Sequence, residues 1–263
     1  MTQKLNKIKL SRNSKLISLD IKDMYTNIPV SETIDIINLQ LQELQESPIF
    51  IKQLVNSLNV ALTQNNLTFN GEYYNQTDGL PMGSPISPIM SEIFLQYLED
   101  QHIEKIKKQY NIIFYCRYVD DIFIIYDNHK DIDDKILDRF NNIHSKIQYT
   151  LEKQQNNSLN YLDLSIQKIT YKHIYTFQYK IFRKPTTSKL SINYNSDHPH
   201  THKWANFHFL LNRLNNIPLS SNNYKKEFSN ILQIAKHNKF PISRIYKLNS
   251  KTKKKLRTIN IVL

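Results

Sequence analysis

The sequence predicts an α+β fold built on a mainly antiparallel sheet, and three patterns indicate it. Short apolar runs typical of buried strands are bounded by polar turns. Longer segments carry apolar residues at helical spacing. These segments come as a strand, helices, a hairpin, a helix and further strands, rather than in strict strand–helix alternation. The clearest strand signals lie at residues 16–19, 112–118 and 122–126.

The N-terminal elements can be placed one by one. Residues 16–19 form a buried strand, and Ser31 is expected to cap a helix that Pro48 ends. A second helix is expected over residues 52–63. The Asn-Gly pair at residues 70–71 predicts a tight hairpin, because both residue types tolerate left-handed backbone.

The remaining elements follow from the same signals. A long helix is expected to begin near Ser84 or Ser87, and another covers residues 132–147. Between them lies the hairpin of the two apolar strands. Three further strands are expected at residues 148–151, 159–169 and 173–182. Beyond Pro199, two helices are expected around residues 204–214 and 224–235.

Charge divides the chain into two parts. Residues 1–165 hold 16 lysines and arginines against 21 acids, a net charge of −5. Residues 166–263 hold 19 against only Asp197 and Glu227, a net charge of +17. A basic C-terminal third beside an acidic first part predicts a polyanion such as nucleic acid, held next to a metal site. We therefore expect two domains, residues 1–165 and 166–263.

Composition excludes several protein classes. Cys116 is the sole cysteine, so an internal disulfide is excluded and a reducing, intracellular compartment is expected. No apolar run reaches membrane-spanning length, and no membrane partner is expected. The glycine-rich phosphate loop of P-loop nucleotidases does not occur. His198, His200 and His202 have no cysteine nearby and are expected at a helix start rather than in a zinc site.

Acidic residues at strand ends form the candidate catalytic centre. Asp120 and Asp121 lie between two apolar strands, and Asp20 follows another. Adjacent carboxylates repel each other, and a bound dication relieves that repulsion. Asp20 with Asp120 would bridge two Mg²⁺ ions, with Mn²⁺ as an alternative and Asp121 as a partial ligand. From the residues alone, a turn role for the pair and a capping role for Asp20 stay open.

Two neighbouring segments suggest a nucleotide site. Tyr25, five residues after Asp20, could exclude a ribose 2′-hydroxyl by steric collision, although its spacing favours a core tyrosine slightly. The segment Gly79–Pro85 holds two of the three glycines and would permit close approach of a base pair or phosphate. An ordinary turn into a capped helix is the alternative for this segment.

Five segments of this chain match a known family. They read LISLDIKDMYTNIPVSETI, FNGEYYNQTDGLPMGSPISPIMSEIF, FYCRYVDDIFIIY, LNYLDLSI and IFRKPTTSKLSINYNSDHPHTHK. In this order they resemble the reverse transcriptases, for which YVDD and GSPISP are specific. RKPT and HPHTHK single out the Penelope-like retroelement group within them. The resemblance runs from about residue 16 to about residue 246.

The resemblance implies a fold, an activity and partners. The fold is a right-hand polymerase palm, an antiparallel sheet with packed helices, over residues 1–165. A primer-grip hairpin, a mainly helical thumb and a basic tail follow over residues 166–263. The activity is RNA-directed DNA polymerisation, and the partners are an RNA template, a DNA primer and deoxynucleoside triphosphates. No oligomeric state is predicted.

The resemblance also assigns site residues. Asp20, Asp120 and Asp121 match the catalytic, magnesium-binding acids, and Tyr25 matches the sugar gate. The residues expected to contact the nucleotide are Ile21, Tyr25, Met82, Gly83 and Lys153. Those expected to contact nucleic acid are Gly79, Ser84, Arg183, Lys184, Lys203 and Arg213.

Departures from the family pattern shape three further expectations. About fifteen residues precede the first strand, so the fingers region is expected to be missing. No GIY-YIG endonuclease motif is visible, and we therefore expect a fragment of a retroelement. The lysine-rich tail at residues 251–257 suggests a nuclear location.

Two other functions stay open. A catalytically inactive remnant that binds RNA or an RNA–DNA hybrid would also account for the basic C-terminal third. An RNA-dependent RNA polymerase shares the palm, but Tyr25 argues against it because RNA synthesis requires a ribose.

Overall fold

The computed structural model describes the backbone of residues 1–262 and the side chains of residues 1–255. In chain order the elements are α1 (Thr2–Leu5), β1 (Ser14–Ile21), α2 (Met24–Asn27), α3 (Val30–Glu43), α4 (Pro48–Thr63), β2 (Asn66–Phe69), β3 (Glu72–Asn75), α5 (Ser87–Tyr110), β4 (Ile112–Tyr118), β5 (Asp121–Asp127), α6 (Asp133–Asn141), β6 (Tyr149–Lys153), β7 (Ser158–Tyr161), β8 (Leu164–Tyr171), β9 (Ile174–Ile181), α7 (His200–Asn216), α8 (Ser221–His237) and α9 (Ile242–Val262).

The chain divides into two compact units. One is Asn13–Gln154, and the other joins Met1–Arg12 to the residues from Gln155 onward. The first holds 12 lysines and arginines against 20 acids, and we call it the acidic unit. The second holds 23 against 3, and we call it the basic unit. The domain boundary at residue 165 stays a prediction.

A four-stranded antiparallel sheet organises the acidic unit. Its strand order is β4-β5-β1-β6, which makes β1 and β5 the two central strands. Residues 122–126 of β5 are all buried, so both faces of this strand are covered. Helix α5 packs on β4, and α6 packs on β6. The predicted α+β class with antiparallel strands is confirmed.

Helices α3 and α4, which follow β1, differ from the prediction at their starts. Pro29, rather than Ser31, is the N-cap of α3. Pro48 does not end a helix but opens α4 as its first residue, where its missing N–H costs nothing. The Ser47 side chain caps α4 by accepting a hydrogen bond from the Phe50 amide at 3.2 Å. A proline between two helical patterns therefore marked a start rather than a stop.

The first predicted hairpin is confirmed. Strands β2 and β3 pair around Asn70 and Gly71, whose φ angles are 51° and 82°. These left-handed values are those of a two-residue turn that follows the twist of the strands.

The basic unit combines a three-stranded sheet with three helices. The sheet order is β7-β8-β9, all antiparallel. The predicted single strand at residues 159–169 is wrong. The chain turns at Leu162, whose φ is 54°, and this turn separates β7 from β8.

The helices α7, α8 and α9 share one apolar core. Its fully buried members include Phe207, Leu211, Ile231 and Ile245. The backbone of α9 continues through the basic tail at residues 251–257. None of the described helices is both long and apolar enough to cross a membrane.

Candidate active site

The two central strands bring the predicted acids together. In the β1–β5 register Asp20 is the direct partner of Asp121. Directly opposed residues of an antiparallel pair share a face, with Cβ atoms about 4.5–5.5 Å apart. The Ile21 amide donates to the Asp120 carbonyl at 3.2 Å, which fixes the end of β1 to the turn that carries Asp120. Asp20, Asp120 and Asp121 therefore meet at one end of the sheet.

The turn between β4 and β5 adopts an unusual backbone conformation. Tyr118 pairs with Asp121, so only Val119 and Asp120 form the loop. Val119 has φ = 58° and is exposed. A β-branched residue rarely occupies this region, because its side chain crowds the backbone there. Such outliers concentrate at functional sites, where the surrounding structure holds them.

The environment of the Asp20 carboxyl disfavours its ionised form. Loss of water around the Asp20 carboxyl raises its pKa, and the like charge of Asp120 raises it further. This effect of Asp120 on Asp20 is the repulsion that a dication between them would relieve.

The donor set fits magnesium. Among the described residues, no group of three or more His, Cys, Asp or Glu side chains could hold a metal by itself. Asp20 and Asp120 thus present carboxylate oxygens close to each other without forming a closed cage of protein ligands. Magnesium prefers such hard oxygen ligands and keeps its remaining positions for water and phosphate.

Tyr25 lies in α2, directly after β1. Its side chain is half-buried and packs against the core of the acidic unit. Its carbonyl accepts a hydrogen bond from the Leu80 amide at 2.7 Å. The segment that carries Tyr25 is therefore bound to the segment that begins at Gly79.

Gly79 is required by a close backbone contact. Its φ is 82°, and an added Cβ would lie 2.7 Å from the carbonyl carbon and 2.8 Å from the Cα of Thr26, with the Thr26 oxygen closer still. The sequence suggested that this glycine allows nucleic acid to approach. In the structure it allows the backbone of α2 to approach.

Asp78 is a site-organising residue that the sequence analysis missed. Its Oδ1 accepts hydrogen bonds from the amides of Gly79 at 2.8 Å and Val30 at 3.2 Å, and its other oxygen pairs with Lys146. Burial alone would raise the pKa of the Asp78 carboxyl, but the Lys146 hydrogen bond and the two amides hold it below its ordinary value. The only sequence signal was an aspartate before a turn glycine.

The next residues of this segment are open to solvent. The Met82 side chain is 73% exposed. Gly83 has φ = 92° with no atom within 4 Å of the position of an added Cβ. The Ser84 hydroxyl accepts a hydrogen bond from the Ile86 amide at 3.3 Å. Met82 and Gly83 are therefore accessible to a ligand, whereas Ser84 shapes the turn before α5.

Ile21 and Lys153 are not brought to the acids as side chains. Ile21 is buried in the core, and only its amide touches the site. Lys153 is the register partner of Ile17, and its ammonium pairs with Asp134 at 2.9 Å. Three residues of β1, about 10 Å, separate Ile17 from Asp20.

Three of the four basic residues predicted to contact nucleic acid are held by internal contacts of the basic unit. Both terminal nitrogens of Arg183 bond to Glu227. The Lys203 ammonium donates to the carbonyls of residues 194 and 196, both at 3.0 Å. Arg213 pairs with Asp163 at 3.0 Å. Lys184 is exposed, and its side chain has no hydrogen bond or ion pair among the described residues.

The sequence matches two family models. The model described as "Reverse transcriptase (RNA-dependent DNA polymerase)" matches residues 2–168, which include every acid of the site. The model described as "Animal helix-turn-helix domain" matches residues 190–249, in the helical part of the basic unit. A search of curated proteins found no match.

Solved structures share the fold at low sequence identity. A telomerase from Candida albicans, in complex with a TWJ fragment of telomeric RNA, aligns with a TM-score of 0.57 and 12% identity over 89% of this chain and 40% of its own. A telomerase from Candida tropicalis in the same kind of complex aligns with a TM-score of 0.50 and 15% identity over 89% of this chain and 41% of its own. The apo form of the latter gives 0.50 and 15% over 95% and 48%.

The chain thus spans less than half the length of these structures. Their likeness supports the α+β architecture of a palm with a mainly helical thumb. The family model covers more than half of this chain, and it includes the paired strands that carry Asp20 and Asp121 and the turn that carries Asp120. The chain belongs to the reverse transcriptase (RNA-dependent DNA polymerase) family.

Proposed function

We propose that this protein is an RNA-directed DNA polymerase that adds deoxynucleotides to a primer 3′-hydroxyl with two bound Mg²⁺ ions. The observation that carries the proposal is the meeting of Asp20 with the Asp120–Asp121 turn across the β1–β5 pair. The acids belong to strands that are far apart in sequence, and backbone pairing fixes them at one edge.

Asp20 and Asp120 would hold the ions, with Asp121 as a partial ligand. When bound, the ions would lower the pKa of the primer hydroxyl and neutralise charge on the triphosphate and the leaving pyrophosphate. The residues of the chain would position the two ions. The β1–β5 register holds the carboxylates in place before substrate arrives, so little reorganisation is needed at the moment of reaction.

Tyr25 would select deoxyribose. It lies in α2, just after β1, and the backbone of this segment is held against Gly79 and Leu80. These contacts restrict movement of the tyrosine away from a bound sugar. A ribose 2′-hydroxyl would collide with a ring held in this way, whereas deoxyribose would fit.

The remaining assignments extend the same proposal. An RNA template is supported by family membership and by the RNA in two of the similar telomerase structures. Membership of the Penelope-like retroelement group rests on the RKPT segment and on HPHTHK. A nuclear location rests on the lysines at residues 251–255. Mn²⁺ would replace Mg²⁺ at the same carboxylates.

Primer extension tests this proposal. A DNA primer annealed to an RNA template, with Mg²⁺ and deoxynucleoside triphosphates, should be extended by the protein, and chelation of the metal should stop extension. Replacing Tyr25 with Ala should raise incorporation of ribonucleotides relative to deoxynucleotides. Absence of extension by folded protein, with Mg²⁺ or Mn²⁺, would contradict the proposal.

A nucleic-acid-binding protein without catalysis is the second candidate. The excess of 23 basic over 3 acidic residues in the basic unit favours it, because such a charge binds polyanions without any chemistry. Binding of an RNA–DNA hybrid that needs no Mg²⁺, is unchanged in Asp120→Asn and is never followed by extension would select this function.

A further inference from the structure

One arginine of the acidic unit uses every donor it has. Arg117 lies on β4, two residues before Val119, and its side chain is only 6% exposed. Its Nε and Nη2 donate to the two oxygens of Glu99 at 2.7 and 3.1 Å. Its Nη1 and Nη2 donate to the two oxygens of Glu92 at 2.7 and 3.0 Å.

These contacts anchor the β4–β5 hairpin to α5. Glu92 and Glu99 are two helical turns apart and therefore lie on the same face of α5. Tyr115, also on β4, donates a hydrogen bond to Glu99 as well. The guanidinium thus joins the strand that leads into the acid-bearing turn to the longest helix of the acidic unit.

The fifth donor reaches the turn itself. Nη1 of Arg117 donates to the Val119 carbonyl at 3.1 Å. That carbonyl belongs to the Val119–Asp120 peptide, directly before the acid assigned to the metals, and it follows the residue with φ = 58°. A hydrogen bond to this oxygen opposes rotation of the peptide back toward an ordinary conformation.

We infer that Arg117 holds the Val119–Asp120 peptide in place and thereby aims the Asp120 carboxylate, so that it is a positioning residue for nucleotidyl transfer. The inference rests on the proposed function of Asp120. It adds a residue outside the carboxylate set, and it explains how a β-branched residue is kept in a left-handed turn.

The chemistry requires arginine at this position. Two carboxylates and one carbonyl surround the group, and five N–H donors in a planar fork satisfy them together. A lysine ammonium has three donors at one point and cannot span Glu92, Glu99 and Val119 at once. Arg117→Lys therefore keeps the charge and loses the bridge.

A purely structural ion pair makes a different prediction. If Arg117 only stabilised the fold, its replacement would act like any core mutation of equal cost. Ile106→Ala provides that comparison, because Ile106 is fully buried on α5 two helical turns after Glu99 and takes no part in the hydrogen bonds of Arg117. The two variants are compared at a temperature where both are folded.

Three measurements separate the two explanations. Arg117→Lys should weaken Mn²⁺ affinity, followed by electron paramagnetic resonance, about 10-fold or more, as removal of an outer partner of a metal ligand commonly does. It should increase hydrogen exchange in the peptide covering residues 117–123. It should lower kcat for primer extension about 10- to 100-fold, with a much smaller change in the KM for the nucleotide. Ile106→Ala should leave all three at wild-type values.

The outcomes are distinct. Equal behaviour of Arg117→Lys and Ile106→Ala in Mn²⁺ affinity and in local exchange would overturn the inference. If the wild-type protein binds Mn²⁺ but extends no primer, the proposed polymerase function fails, while the first two measurements still decide the role of Arg117. No Mn²⁺ binding by the wild-type protein would overturn both.

A second variant covers the case in which Arg117→Lys does not fold. Glu92 is 56% exposed, so Glu92→Gln removes one anchor of the guanidinium at little cost to the fold. We expect a smaller loss of Mn²⁺ affinity, about 2- to 5-fold, with an unchanged melting temperature. Wild-type affinity in Glu92→Gln, together with wild-type exchange at residues 117–123, would overturn the inference.

Discussion

The two candidate-site acids of the acidic unit and two arginines of the basic unit differ in whether they have an ion-pair partner within the fold. In the acidic unit, Asp20 is exposed near the end of β1 and Asp120 is half-buried in the β4–β5 turn, and neither belongs to an ion pair among the described residues. In the basic unit, Arg183 and Arg213 are paired with two of its three acids, Glu227 and Asp163. The fold depends on the arginines, whereas it gains nothing from the aspartates.

This difference separates residues that are available for chemistry from residues that build the protein. Burial of its carboxyl and the like charge of Asp120 raise the pKa of Asp20, so the ionised carboxylate destabilises the folded state. Glu227 is buried and would be left as an unpaired charge without Arg183. That a residue belongs to a family motif is therefore weaker evidence that it contacts a ligand than its lack of an ion-pair partner within the fold.

The largest expected effect is on activity in the acidic unit. Asp120→Asn should lower primer extension about 10³-fold or more, because the loss of metal-bound charge stabilisation amounts to several kcal/mol. Asp127→Asn, at the other end of β5, is the matched control and should retain activity. Circular dichroism should show both variants folded. Comparable activity of the two variants would show that Asp120 has no special role in catalysis.

Two adjacent residues test the basic unit. Arg183→Ala should destabilise the protein by about 3–5 kcal/mol in urea denaturation, because Glu227 loses both hydrogen bonds of its buried carboxylate. The neighbouring Lys184→Ala should leave the unfolding free energy unchanged within about 0.5 kcal/mol. A destabilisation by Arg183→Ala below 1 kcal/mol would show that this arginine is not structural.

Lys184→Ala should instead affect binding. The exposed ammonium can contact a phosphate, so its loss should reduce the slope of log affinity against log salt by about 1 for an RNA–DNA hybrid. Fluorescence anisotropy over a salt series gives the slope. Lys130→Ala, in the acidic unit, is the control and should leave the slope unchanged.

Gly79→Ala tests whether the packing of α2 supports sugar choice. The added methyl group meets the Thr26 backbone at an unfavourable φ, and we expect a loss of about 1–3 kcal/mol in unfolding free energy. Displacement of α2 should also lower the preference for deoxynucleotides. Gly71→Ala, in the β2–β3 turn, has the same φ problem without the contact, so it should keep that preference. Equal selectivity in the two variants would contradict the proposed link to Tyr25.

The smallest expected effect is on pH-dependent stability. The pKa of Asp20 is raised in the folded state, so its carboxylate destabilises the metal-free fold once it ionises. Stability should therefore fall slightly as the pH rises from the ordinary aspartate pKa through the raised one. Solvent screening limits the effect to less than about 1 kcal/mol. Thermal denaturation in a chelator should show Asp20→Asn at least as stable as wild type at neutral pH; a clear loss would contradict the expectation.

Local patterns predicted the acid-bearing strands well. β1 and the β4–β5 hairpin are indicated by apolar runs that stop at an aspartate. Such a run predicts a buried strand even when its partner strand is unknown. Helix α9 was not predicted at all. Its lysine-rich C-terminal half gives no apolar signal, and tertiary packing of residues such as Ile245 stabilises the helix.

Contacts between distant residues could not be predicted. Arg183 lies just after β9, and its partner Glu227 lies in α8. No local sequence feature of either residue indicates that the two form an ion pair. The sequence around Arg117 did not indicate its role either, because its partners on α5 precede it by 18 and 25 residues. The close approach of Gly79 to Thr26 depends on the fold of two loops at once.

The pairing of β1 with β5 has a consequence for folding. The hairpin of β4 and β5 can form locally, but β1 must return from about a hundred residues earlier in the chain to insert between β5 and β6. Such distant contacts are slow to form, because chain entropy must be lost before they stabilise anything. The carboxylates of Asp20 and Asp120 therefore meet only when the sheet is complete. In a refolding experiment, the gain of divalent-cation affinity should coincide with the final native phase rather than with early helix formation.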